Sequence, residues 1–137
     1  MSTTFGPAHT PFDRLGQAAA LALATRFYDW MDAHEPALVA VHRQGEPGKV
    51  SAEVRDRFAT FLVEWLGGPR EYSSTHGHPR LRMRHARVRI GTDLRDAWMR
   101  CMTAALDHPE LDDDVRGYLA GRFAEVADFL RNVEGTG

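Results

Sequence analysis

GGPREYSSTHGHPRLRMRHARVRIGTDLRDAWMRCM, residues 67–102, is the stretch on which the fold turns. It opens on Gly67-Gly68-Pro69, two conformationally free residues and one that cannot continue a helix, so the element before it stops there. Residues 70–80 mix Gly, Pro, Ser and His without a sustained period and read as an irregular connection. Over 79–90, PRLRMRHARVRI, arginine and apolar residues alternate as in a strand, yet Leu81, His85 and Val88 also share one helical face with Arg84 beside them. Periodicity leaves both readings open. From Thr92 the pattern is helical: TDLRDAWMRCMTAALDH has a threonine suited to capping, an early Asp and a stripe of Leu94, Trp98, Cys101, Met102 and Ala105, and Pro109 ends it.

Working outward toward the N-terminus, Ser51 can cap a helix whose stripe is Val54, Phe58, Phe61, Leu62 and Trp65. RQGEPGK, residues 43–49, precedes it as a surface loop, and Pro36 suits the first position of a short helix before that loop. Between Phe12 and Ala33 the chain is rich in Ala and Leu, with Leu21, Ala24, Phe27, Tyr28 and Met31 at helical spacing, which predicts a helix broken near Gly16. Toward the C-terminus, Asp112, Asp113 and Asp114 favour the positive end of a last helix with Val115, Leu119, Phe123, Val126 and Leu130 on its apolar face. The class is therefore all-α.

Composition narrows the function. With 137 residues, 43% of them hydrophobic, the chain is the length of one domain over 1–137, with 1–11 and 134–137 expected as flexible tails. A formal net charge of −2 creates no field to recruit nucleic acid or an anionic membrane. The one cysteine, Cys101, cannot form an internal disulfide or a thiolate cluster, and it reads as packing; a reducing cytoplasm is the expected compartment. The N-terminus shows no secretory pattern, and no stretch approaches the ~20 apolar residues of a membrane span. HExxH, a Gly-rich phosphate loop and a GxSxG elbow are all missing from the sequence.

What remains is His85, flanked by arginines and sharing a face with Leu81 and Val88. It is either a partly exposed histidine in a basic segment or a ligand whose ring nitrogen a metal satisfies. The arginines at 80, 82, 84, 87 and 89 can equally be read as a phosphate-binding strip, against which the acidic remainder of the chain speaks.

The segment 67–102 closely resembles the proximal region of the group II truncated haemoglobins, with the pattern GGPxxY, GHPRLRxRH and RDAWxxCM. The likeness extends from about Gly16 to the last helix, through Arg26-Phe27-Tyr28. It implies a truncated globin domain, a two-over-two helical sandwich around haem b (iron protoporphyrin IX). By this resemblance His85 is the proximal ligand to iron and Arg84 pairs with a haem propionate. Tyr28, Trp98 and His42 surround the ligand on the opposite face as hydrogen-bond donors. Val54, Phe58, Phe61, Leu62, Leu81, Val88, Trp98 and Met102 are the implied apolar contacts of the porphyrin. Three departures from the family pattern stand out: Val54 and Phe58 narrow the distal side, Leu15 replaces the first glycine of the first Gly-Gly turn, and the loop after His42 is longer.

The resemblance implies binding of O2, NO or CO, with conversion of nitric oxide to nitrate as an activity and an unidentified reductase as partner. Alternatives are a peroxidase-like enzyme acting on peroxide through His42, and a non-catalytic gas sensor whose output is a protein contact. A homodimer is a candidate assembly; nucleic acid and membrane are not expected partners.

Overall fold

Thr10 starts the first helix: its hydroxyl accepts from the Asp13 amide while the Asp13 carboxylate accepts from the Thr10 amide, a reciprocal cap followed by Pro11 at the first helical position. The computed structural model describes residues 5–6, 9–78, 80, 85 and 88–132, and among the described residues there are six helices, this one the first. They are α1 (Pro11–His34), α2 (Pro36–Val39), α3 (Ala52–Trp65), α4 (Glu71–His76), α5 (Thr92–Leu106) and α6 (Asp113–Phe129). Among the described residues there is no strand, only isolated bridges between Gly6 and His9 and between Gln44 and Val50. The all-α expectation holds. α1 bends at Gly16, whose φ of 79° lies where a side chain is strained.

The cap foreseen at Ser51 is present, its hydroxyl accepting from the Val54 amide at 3.2 Å, and Asp112, expected at the positive end of the last helix, is its cap, the carboxylate accepting from the Val115 amide at 2.9 Å. Two expectations need correction. Residues 70–80 are not wholly irregular, because Glu71–His76 forms α4. Its support is tertiary: the Glu64 carboxylate accepts from the Ser73 amide at 2.9 Å and from the Ser73 hydroxyl, and Tyr72 is buried against Phe61. Thr92 does not cap α5 but is its first helical residue. The buried, extended Gly91 takes the capping position without a side-chain bond, and the Ile90 carbonyl just before it accepts from the Asn132 backbone amide.

α1 packs against both α3 and α5, and α5 packs in turn against α6, so the apolar stripes meet in one core. Phe27, Leu23, Met31, Leu62, Leu66, Met102, Val115 and Leu119 are fully buried there, and so is the Cys101 thiol on α5. At one end the turn after α3 closes on the start of α1, with the Phe12 amide donating to the Leu66 carbonyl at 2.9 Å. A Cβ at Gly67, where φ is 107°, would fall 2.4 Å from the Thr10 Cβ. At the other end Arg100 of α5 makes a two-pronged pair with Glu35, at 2.7 and 2.8 Å, fixing the α1–α2 junction.

Of residues 79–90, those described form neither helix nor strand. The Val88 amide donates to the His85 carbonyl at 3.0 Å, closing a turn. Leu81, Arg84 and the tail at 134–137 lie outside the described residues. In the other tail, Phe5 packs on Tyr118 with ring centroids 4.7 Å apart.

Candidate functional site

Leu94, Arg95 and Trp98 project from one side of α5, as their i, i+4 spacing requires, and with the end of α6 and the turn at His85 they enclose a cavity of about 270 Å³. Its walls are Val41, Val88, Ile90, Leu94, Ala127 and Leu130, with Trp98 and two imidazoles, His42 and His85, reaching in. Arg43 and Arg95 complete the lining. Arg43 is largely exposed, paired with Glu53 at 3.6 Å, and Arg95 lies near Asp96 and Asp128. The site is thus apolar in body, imidazole-bearing inside and cationic at its edge. A shallower groove of about 990 Å³, holding Met99, Arg100 and Thr103, lies on the opposite face of α5 and contains no histidine.

His42 follows α2 and is anchored by its own backbone neighbourhood: Nδ1 lies 2.7 Å from the Leu38 carbonyl oxygen. A carbonyl only accepts, so Nδ1 carries the hydrogen, and in the neutral ring Nε2 is left with its lone pair. Burial keeps the ring neutral, lowering its pKa; the Leu38 bond opposes this and the nearby His85 adds to it. His42 is accordingly a proton acceptor at neutral pH. Only when protonated would Nε2 become the donor that the resemblance implied.

Beside the cavity lies an aromatic cluster. Tyr28, buried on α1, meets Phe58 edge-on at 5.4 Å and His42 at 6.1 Å, and the Arg55 guanidinium sits 5.5 Å over its ring. Burial raises the pKa of the phenol further above its ordinary value, with Arg55 pulling the other way, so the hydroxyl keeps its proton. Arg55 is itself held by Asp29 and Asp32. Phe27 joins the cluster to the cavity, stacked on Phe58 at 5.1 Å and tilted against Trp98 at 5.2 Å.

Of the residues singled out in the sequence, the fold brings His42, His85, Val88 and Trp98 together around the cavity. Tyr28 and Phe58 stand next to it in the aromatic cluster, and Phe61 continues that cluster 6.3 Å beyond Phe58. Leu62 and Met102 are wholly buried in the core, and Val54 packs against it partly buried. The sequence reading passed over Arg43, Leu94, Arg95, Ile90, Ala127 and Leu130 as lining residues. Leu94 and Leu130 were visible as members of apolar stripes, whereas Arg43, in a polar loop, carried no signal of its own.

The chain and its fold are similar to those of known globins. Residues 10–132 match the family model described as bacterial-like globin. The chain is 33% identical over 124 residues to the group 2 truncated hemoglobin YjbI of Bacillus subtilis, covering 90% of this chain and 89% of that protein. Among solved structures it is similar to a cold-adapted truncated hemoglobin from the Antarctic bacterium Pseudoalteromonas haloplanktis, with 41% identity, a TM-score of 0.81 and coverage of 90% and 98% of the two chains. A thermostable hemoglobin from Thermobifida fusca matches with 34% identity and the same TM-score of 0.81, over 90% of this chain and 98% of that one.

Proposed function

From a chain that belongs to the group II truncated haemoglobins, and hence to a family of haem-based gas binders, we propose a haem b protein that binds dioxygen reversibly and converts nitric oxide to nitrate. The donor set fits the group. An imidazole at His85 suits iron, the Val88, Ile90, Leu94, Ala127 and Leu130 walls suit the flat apolar ring, and Arg43 at the edge suits a propionate. Arg84 is assigned to a propionate by the resemblance alone.

The haem iron supplies the ligand-binding position and the single electron that NO and O2 together require to become nitrate, and a reductase restores that electron. The chain's own contribution is hydrogen bonding. Trp98, reaching into the cavity through its indole, and Tyr28, protonated and adjacent, are the donors for a ligand carrying partial negative charge. The observation that carries the reading is the enclosure of His85, His42 and Trp98 in one apolar cavity. The test is the absorption spectrum of the haem-reconstituted protein in ferric, ferrous and CO-bound forms. A Soret band that His85→Ala abolishes is the expected result, and a wild-type chain that takes up no haem refutes the reading.

One observation favours a second activity. With Nδ1 committed to the Leu38 carbonyl, Nε2 of His42 is positioned to take a proton from peroxide. His42→Phe should then slow the reaction with peroxide while leaving CO binding intact; undiminished peroxide reactivity would remove His42 from that role.

A further inference from the structure

Beyond the end of α6 the chain runs back along the turn at His85, and a single side chain ties the two together. Asn132 uses every hydrogen-bonding atom of its amide. Its Oδ1 accepts from the Ile90 amide at 2.8 Å, and its Nδ2 donates to the Val88 carbonyl at 2.7 Å and to the His85 carbonyl at 3.4 Å. Its backbone amide donates to the Ile90 carbonyl at 2.9 Å. The carbonyls at both ends of the His85–Val88 turn thus converge on one nitrogen, and both backbone polar groups of Ile90 are bonded to Asn132.

We infer that Asn132 is a positioning residue for the His85 imidazole, setting the turn that presents it to the cavity. The inference rests on the proposed role of His85 and extends it to a residue outside the cavity lining. Location supports it, because Ala127 and Leu130, just before Asn132, line the same cavity as His85, Val88 and Ile90. One chain end therefore supplies an apolar wall and the polar clamp of the opposite wall. Asp keeps the acceptor for Ile90 but turns an oxygen toward two carbonyls, and Ala removes both functions.

The experiment compares wild type, Asn132→Ala and Asn132→Asp by three readouts. The first is amide hydrogen exchange of Ile90 in the haem-free chain, the second the iron–histidine stretching band of the ferrous protein by resonance Raman, and the third transfer of haem to excess apomyoglobin. Asn132→Ala should speed exchange at Ile90 without speeding that of the α5 amides, shift or broaden the iron–histidine band, and accelerate haem transfer about tenfold, the equivalent of ~1.4 kcal/mol. Asn132→Asp should protect Ile90 and still disturb the band. An iron–histidine band identical to wild type in both variants overturns the inference even where haem transfer is faster, since the clamp would then be merely structural. Unchanged exchange at Ile90 in Asn132→Ala overturns it without reference to haem. A wild-type chain that takes up no haem sinks the functional reading as well, and is told apart by that result.

Discussion

Tyr28 is held by rings on three sides and differs from phenylalanine by one hydroxyl that stays protonated, so replacing it by Phe deletes a donor and little else. A net hydrogen bond of ~1–1.5 kcal/mol translates to an oxygen dissociation rate about tenfold faster in Tyr28→Phe, measurable by stopped-flow displacement with CO. Trp98→Leu removes a donor and also packing against Phe27 and Phe123, so it should combine faster dissociation with a loss of stability of ~2 kcal/mol or more in urea unfolding. His42 adds a pH dependence. Its folded pKa lies below the ~6.5 of an unfolded chain, so the unfolded state takes up the proton first as pH falls. The stability of the haem-free protein should be full above pH ~6.5 and decline as pH drops from there toward the folded pKa. Urea midpoints measured across that window should fall less steeply in His42→Phe than in wild type.

Elements meet where small residues let them. The turn after α3 approaches α1 so closely that a Cβ at Gly67 collides with Thr10, and one at Gly68 would come within 2.8 Å of Phe12 and Val63. Gly67→Ala also demands a positive φ of a residue that avoids it, so a loss of ~2–3 kcal/mol is expected in denaturant unfolding, against a gain of up to ~1 kcal/mol for alanine at exposed Gly117 within α6, where no atom lies within 4 Å of the added Cβ. That turn was legible in the sequence as Gly-Gly-Pro, as were the cap at Ser51 and the acidic start of α6 at Asp112, because stop and start signals act over one turn of chain. α4 was not legible. Its helix is secured by Glu64, nine residues from Ser73, and by burial of Tyr72, neither of which leaves a period in EYSSTH. The same holds within the site. His85, Trp98 and His42 were named through a family pattern, but the commitment of His42 Nδ1 to Leu38 and the clamp by Asn132 depend on backbone carbonyls, which every residue possesses and no sequence displays.

At the scale of the whole molecule, a ligand that binds only the folded state raises stability by mass action, about 2.7 kcal/mol when its free concentration is 100 times its dissociation constant. Haem loading should therefore raise the unfolding temperature, and His85→Ala should abolish most of the increase; calorimetry of the two proteins with and without haem measures it. The chain already contains the means to follow the same quantity in time. Cys101, the single cysteine of the sequence, is fully buried on α5, the helix packed against both α1 and α6, and burial pushes its thiol pKa up to about 12. A thiol reagent meets it only when those helices part, so the rate of labelling counts openings of the core one molecule at a time. Each ~1.4 kcal/mol by which an occupied cavity restrains that opening should slow labelling tenfold, which makes an otherwise inert sulfur an internal timer for how often the protein breathes.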